Sequence, residues 1–258
     1  MRLVDVHCHL EAEEFAGNLD QVLADARAAG IVKLITASIT PEQWDVSESL
    51  AARYPEVAFA LGIHPWYIKP GDEERVAGLR DARARGAVAI GEIGLDSKIP
   101  SPSMEEQVLL FEAQLVVACE LDLPVVIHCR GALGELARAI KAVGMPKAGG
   151  IVHAFSGSCE VAEELIGYGL SFALGGSLTY RNSKKRDLVL RRIYPEHLLL
   201  ETDSPDIPPV QIRGTGQSNV PAFIRYNLSA AAETLGETEE RVAAATTANA
   251  RRIFRLEE

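Results

Sequence analysis

Cysteine is scarce in this chain and none of it is in C-x-x-C spacing: only Cys8, Cys119, Cys129 and Cys159 occur in 258 residues. That excludes a zinc ribbon and a thioredoxin-like redox pair. Cys8 and Cys129 sit beside histidines within apolar runs, where strand alternation turns them away from the face the histidines use. The cysteines read as buried free thiols, which fit a reducing compartment. Long apolar runs are missing too, none approaching the ~20 residues that span a bilayer. The opening "MRLVDVHCHL" carries a histidine pair where a signal peptide would have its apolar stretch. The protein is therefore expected in the cytoplasm, with no membrane partner. A basic excess is absent: the formal charge of −10 excludes broad, nonspecific nucleic-acid binding through a basic surface. Phosphates can still be held by metal ions in a local cleft. No repeat, low-complexity tract or linker divides the chain, so residues 1–258 are expected to form one domain. No obligate protein partner is evident.

What the chain does have is a regular alternation. Short apolar runs lie near 3–8, 32–37, 57–62, 87–91, 124–128, 150–154, 170–174 and 198–202. Between them stand stretches of helical spacing such as "LDQVLADARAAG" and "EEQVLLFEAQLVVACELD". Ser103 followed by Glu106 has the form of a capping box opening the second of these. Eight strands each followed by a helix predict an α/β fold, a single-domain (β/α)8 TIM-like barrel, and the length matches the ~250-residue norm. An open doubly wound sheet is the structural rival. It usually carries a glycine-rich phosphate loop after an early strand, and "HLEAEEFAGN" stands there instead.

In a barrel, chemistry sits at the C-terminal ends of the strands. The first run ends on His7 and His9, with Asp5 on the same face; the third leads to His64 and the fourth to Glu92. The fifth delivers His128 with Arg130 two residues on, the sixth His153 and the eighth Asp203. Of the six histidines, all but His197 fall at strand exits. Packing alone rarely gathers imidazoles and carboxylates in this way, because their polar atoms need partners. A metal ion satisfies several at once. His7, His9, His128 and His153 with Glu92 and Asp203 exceed the ligand count of one tetrahedral site, so two divalent cations are expected. Glu92 is suited to bridge them. Imidazole and carboxylate ligands admit zinc, manganese or iron, and magnesium if waters complete its shell.

The motifs "DVHCHL", "GIHPW", "GEIGLD", "LPVVIHCR", "IVHAFSG" and "LLLETDSP" resemble, in order, those of the TatD-type metal-dependent deoxyribonucleases of the amidohydrolase superfamily. The closing "TTANARRIF" is similar to that family's last helix. The resemblance implies a TIM-like barrel with His7 and His9 on one cation, His128 and His153 on the other, and Glu92 between them. It implies Asp203 as a ligand and proton acceptor, and His64 as a contact to substrate phosphate. The chain departs from the family where "GEIGLD" continues as "SKIPSPS" instead of aromatic residues. Ser218 also stands where an arginine commonly precedes the residue matching Asn219, itself a candidate substrate contact.

Further residues carry two readings. Arg130 is either a phosphate contact or the partner of a rim carboxylate. Asp96 reads as a structural hydrogen-bonding residue, and Asp5 as a partner that orients a ligand. In "YRNSKKRDLVLRR" at 180–192, the start from Arg181 to Lys185 either meets substrate phosphates or is a solvated helix face. Trp66 and Tyr67 either stack on a base or cover the rim. His197 precedes the last strand and is given no role.

The expected activity is hydrolysis of DNA phosphodiester bonds by a metal-activated water, as an exonuclease on single strands. An amidohydrolase-type amide or ester hydrolase, including one that cleaves an aminoacyl-tRNA ester, uses the same centre. The reading from another class is a noncatalytic metal- or nucleotide-binding protein.

Overall fold

The computed structural model describes residues 1–180 and 183–257. Its strands are β1 (Leu3–Cys8), β2 (Ile31–Ala37), β3 (Val57–Leu61), β4 (Ala89–Asp96), β5 (Val125–Arg130), β6 (Gly150–Val152), β7 (Leu170–Leu174) and β8 (Leu198–Leu200). They lie in one sheet in the order β1 to β8. The chain just past β8 is bonded to β1: Asp203 N–H donates to the His7 carbonyl at 2.9 Å, and His9 N–H to the Ser204 carbonyl at 2.8 Å. Strands neighbouring in sequence order, with the last bonded to the first, are the topology of a (β/α)8 TIM-like barrel. No helix among the described residues is long and apolar enough to cross a membrane.

Among the described residues six longer helices lie between strands, α1 (Leu19–Ala28), α2 (Trp44–Arg53), α3 (Met104–Leu121), α4 (Leu133–Val143), α5 (Cys159–Gly167) and α6 (Lys184–Ile193), and two follow β8, α7 (Ile224–Leu235) and α8 (Glu239–Phe254). Between β3 and β4 the helical part is broken into short turns over 72–85. Helix α3 starts where the capping box places it. Ser103 N–H donates to Glu106 Oε2 at 2.7 Å, and Glu106 N–H returns a bond to Ser103 Oγ at 3.3 Å.

The chain forms two compact units. One comprises Met1–Thr36, Ala154–Ala162 and the chain from Phe172 onward. Here β1 pairs with β2 and β7 with β8, all parallel. Every residue of β1, β7 and β8 is buried, as expected of strands covered on both faces. The other unit comprises Ala37–His153 and Glu163–Ser171, with β3, β4, β5 and β6 paired in parallel.

The fourth strand differs from its sequence reading. It begins at Ala89 and runs on to Asp96, pairing Ile93 through Asp96 with Ile127 through Arg130 after a register shift. Glu92 is thus inside the strand instead of following it. Glycine makes this possible. A Cβ at Gly94 would stand 1.9 Å from the His128 carbonyl oxygen, and one at Gly91 would meet Val126 Cβ at 2.6 Å. Backbones this close tolerate no side chain between them.

Candidate metal centre

In the first unit, β1 and the residues after β8 bring His7, His9 and Asp203 together. Asp203 Oδ1 lies 3.2 Å from His7 Nε2 and 3.5 Å from His9 Nε2. The two imidazoles meet edge to face, with ring centres 4.8 Å apart. Asp5, fully buried, fixes the approach of β8. Its carboxylate accepts from Thr202 N–H at 2.9 Å and from Thr202 Oγ1 at 2.5 Å, one residue before Asp203. Burial pushes the Asp5 carboxyl up to about 7, against the pull of those hydrogen bonds. Asp203 adopts a left-handed backbone with φ of 52°, a conformation that aspartate tolerates better than most residues.

Asn219 is not brought to this cluster. It is buried, and its amide donates to the carbonyls of Thr202 at 2.9 Å and Asp206 at 2.6 Å. It staples the loop that carries Asp203. Two carboxylates here escaped the sequence reading. Glu201 is fully buried, accepts from Ala154 N–H at 2.7 Å, and is pushed up to about 8 by burial. Glu11 accepts from the Thr36 hydroxyl and has an oxygen 3.8 Å from His9 Nδ1. The signal for each was its two-residue spacing, Glu201 from Asp203 and Glu11 from His9, although neither pair lies within a described strand.

In the second unit, Glu92 is the centre. Its Oε1 lies 3.3 Å from His64 Nε2, 3.2 Å from His128 Nδ1 and 2.8 Å from His153 Nε2. His64, Glu92 and His128 offer ligand atoms all within 4.8 Å of one another. The far sides of the rings are held as well. His64 Nδ1 accepts from Trp66 N–H at 3.1 Å, which leaves the proton of a neutral ring on Nε2, toward Glu92. His128 Nε2 stands 3.0 Å from Asp96 Oδ2.

Asp96 is a hub. It also accepts from the Trp66 indole at 2.6 Å, from Lys98 N–H at 2.8 Å and from Arg130 Nε at 2.9 Å. Burial acts to raise its pKa, but these bonds outweigh it and hold the carboxyl down at about 2. An ionised Asp96 accepts a hydrogen bond from His128 Nε2–H and so keeps the ring proton on Nε2. His128 Nδ1 then turns a bare nitrogen toward Glu92 Oε1 and toward His153 Nε2, 3.1 Å away. Lone pairs this close need a proton or a cation between them. Burial disfavours charge on His128, yet the Glu92 and Asp96 carboxylates raise its proton affinity overall. The same geometry suits a divalent cation, so the donor set fits a metal. Arg130 is the partner of the Asp96 carboxylate through Nε, and its guanidinium lies 5.1 Å above the Trp66 ring. Trp66 is exposed, with its indole N–H tied down on Asp96.

A family model described as TatD related DNase matches residues 4–255. The chain belongs to the TatD-related DNase family. It is 33% identical to the metal-dependent hydrolase YabD of Bacillus subtilis, over 98% of this chain and 99% of that protein. It is 34% identical to the 3'-5' ssDNA/RNA exonuclease TatD of Erwinia billingiae, over 98% of this chain and 99% of that one. The crystal structure of YjjV, a TatD homologue of Escherichia coli, superposes with a TM-score of 0.92 at 32% identity, covering 99% of both chains. This TatD-family chain is a metal-dependent hydrolase acting on ester bonds. Its clusters of histidine and carboxylate are those of a divalent-metal binder.

Of the cysteines, Cys8 and Cys129 are buried free thiols, as expected, whereas Cys119 and Cys159 are partly exposed. Arg181, the first basic residue singled out in the 180–192 stretch, lies outside the described residues.

Proposed function

We propose that the protein is a nuclease that shortens single-stranded DNA from an end. The whole chain works as one hydrolase domain in the cytoplasm. What carries the reading is Glu92 Oε1, with three imidazole nitrogens within 3.3 Å in a chain of a deoxyribonuclease family. The relatives named as 3'-5' exonucleases support attack from the 3' end.

Two divalent cations would be held, one by His7, His9 and Asp203, the other by His128 and His153, with Glu92 able to serve both, as the family resemblance implies. Bound there, such cations supply a Lewis acid for the phosphodiester and a water of lowered pKa. The chain's own groups do the rest. Asp203 accepts the proton of the attacking water. His64 holds its Nε2 proton toward Glu92 and the substrate phosphate. Asp96 keeps the His128 ring in one tautomer. Arg130, anchored through Nε, presents its outer amines to a neighbouring phosphate.

The test is incubation of the metal-loaded protein with 5'-labelled single-stranded DNA, beside RNA, carboxylic esters and an aminoacyl-tRNA. A ladder of progressively shorter labelled strands is expected. Turnover of an ester or of the aminoacyl bond, with the strands left intact, would move the protein to the amidohydrolase class.

A further inference from the structure

A cavity of ≈ 200 Å³ lies within the first unit, beside the residues that follow β6, β7 and β8. Its walls begin at Ala154, the residue after His153, and at Ile207, four residues after Asp203. Both adopt left-handed backbones, with φ of 44° and 41°. For a β-branched isoleucine this is a costly conformation, and such strain persists where the surroundings enforce it, often at ligand sites. The enforcement is visible. A Cβ at Gly176 would stand 2.0 Å from the Ile207 carbonyl oxygen, so the chain after β7 is pressed against this wall.

The cavity has two chemical faces. Phe155, Val189 and Ile207 make an apolar wall. Phe155 is itself backed by Phe172, with ring centres 4.3 Å apart. The polar part of the lining includes the hydroxyls of Ser177 and Ser183, the Lys185 ammonium and Arg186. Lys185 Nζ donates to the Ser156 carbonyl at 2.7 Å, which ties the start of α6 to the chain after β6 and uses one of its three protons. Ser183 Oγ accepts from Arg186 N–H at 3.3 Å, capping that helix. The positive end of the helix therefore adds to the lysine charge. At this volume the cavity is smaller than the roughly 300–1,000 Å³ of a whole-ligand pocket, so it holds one base-sized unit of a larger molecule.

We propose that this cavity is a subsite for one nucleotide of the substrate strand, next to the bond that is cut. Its base lies on the apolar wall of Phe155, Val189 and Ile207, and its phosphate on Lys185, Ser177 and Ser183. The inference rests on the nuclease reading above. It assigns the lysine-rich start of α6 to substrate.

The experiment compares Lys185→Ala and Lys185→Arg with the wild-type, metal-loaded protein on a single-stranded decanucleotide and on bis(p-nitrophenyl) phosphate. That small diester has no flanking nucleotide. For Lys185→Ala the rise in KM on the decanucleotide should exceed that on the small diester by about tenfold, the loss of one charge-assisted bond. Lys185→Arg should restore most of it. Equal effects on the two substrates, or none on the decanucleotide, would overturn the subsite. If the wild-type protein cuts neither substrate, the nuclease reading fails on its own. The cavity is then judged by calorimetric titration with thymidine 5'-monophosphate: binding about tenfold weaker in Lys185→Ala supports it, and equal binding refutes it.

Discussion

Asp96 and Glu92 grip the His128 ring from opposite sides, with Asp96 Oδ2 3.0 Å from Nε2 and Glu92 Oε1 3.2 Å from Nδ1. One carboxylate fixes the proton and the other faces the nitrogen left bare. Asp96→Asn keeps the shape but can present an amide N–H to Nε2, which favours the opposite tautomer. Metal affinity should fall by roughly 10–100-fold, the usual cost of losing a partner that orients a ligand. Competition with a chromophoric chelator measures it. Unchanged affinity would reduce Asp96 to an anchor for Trp66 and Arg130.

Glu92→Gln removes the charge at the centre of three imidazoles. If Glu92 serves both cations, the variant should lose both together as metal is titrated away. Two full equivalents in elemental analysis of the variant would refute the shared-ligand role. Chelation of the wild-type protein is the companion measurement: turnover should vanish while the far-ultraviolet circular dichroism is retained.

Asp203→Asn preserves volume and one ligand oxygen but removes the base. Near-native folding and partial metal retention are expected, with turnover lower by at least the ~10²-fold typical of losing a general base. Wild-type turnover by a fully metallated variant would leave Asp203 as an ordinary ligand.

Gly94→Ala should destabilise by about 2–4 kcal/mol in urea unfolding, because the methyl has no room against the His128 carbonyl and must move β5. Gly134→Ala is the control. Nothing lies within 4 Å of a Cβ at Gly134, in α4, and it should stabilise by up to about 1 kcal/mol. Similar losses in both would refute the close approach of β4 and β5.

Strand binding should weaken only gently with salt. The 26 Lys and Arg are outnumbered by 36 Asp and Glu, so a broad basic surface that displaces many counterions is not expected. A steep log–log slope, equivalent to some six or more phosphates neutralised, would reveal an extended basic channel.

Local pattern was enough for much of this. Alternation of apolar runs with helical spacing carried the eight strands and their order, because a buried parallel strand and an amphipathic helix leave different periods in the chain. The capping box of Ser103 and Glu106 was legible for the same reason: both partners lie within one turn. So was the placing of His7, His9, His64, His128 and His153 toward the C-terminal ends of strands, although His7 and His128 lie inside β1 and β5. Other choices depend on partners far apart in sequence. Arg130 had two chemically sound uses, and only the register of β4 against β5, allowed by two glycines, set it beside Asp96. The bonds of Asn219 were not legible either: the loop after β8 turns its amide onto the carbonyls of Thr202 and Asp206. Asp5 could not declare its partner, because Thr202 lies 197 residues away and meets it only when the last strand closes on the first. A sequence limits which groups can bond; register and closure decide which of them come within 3 Å.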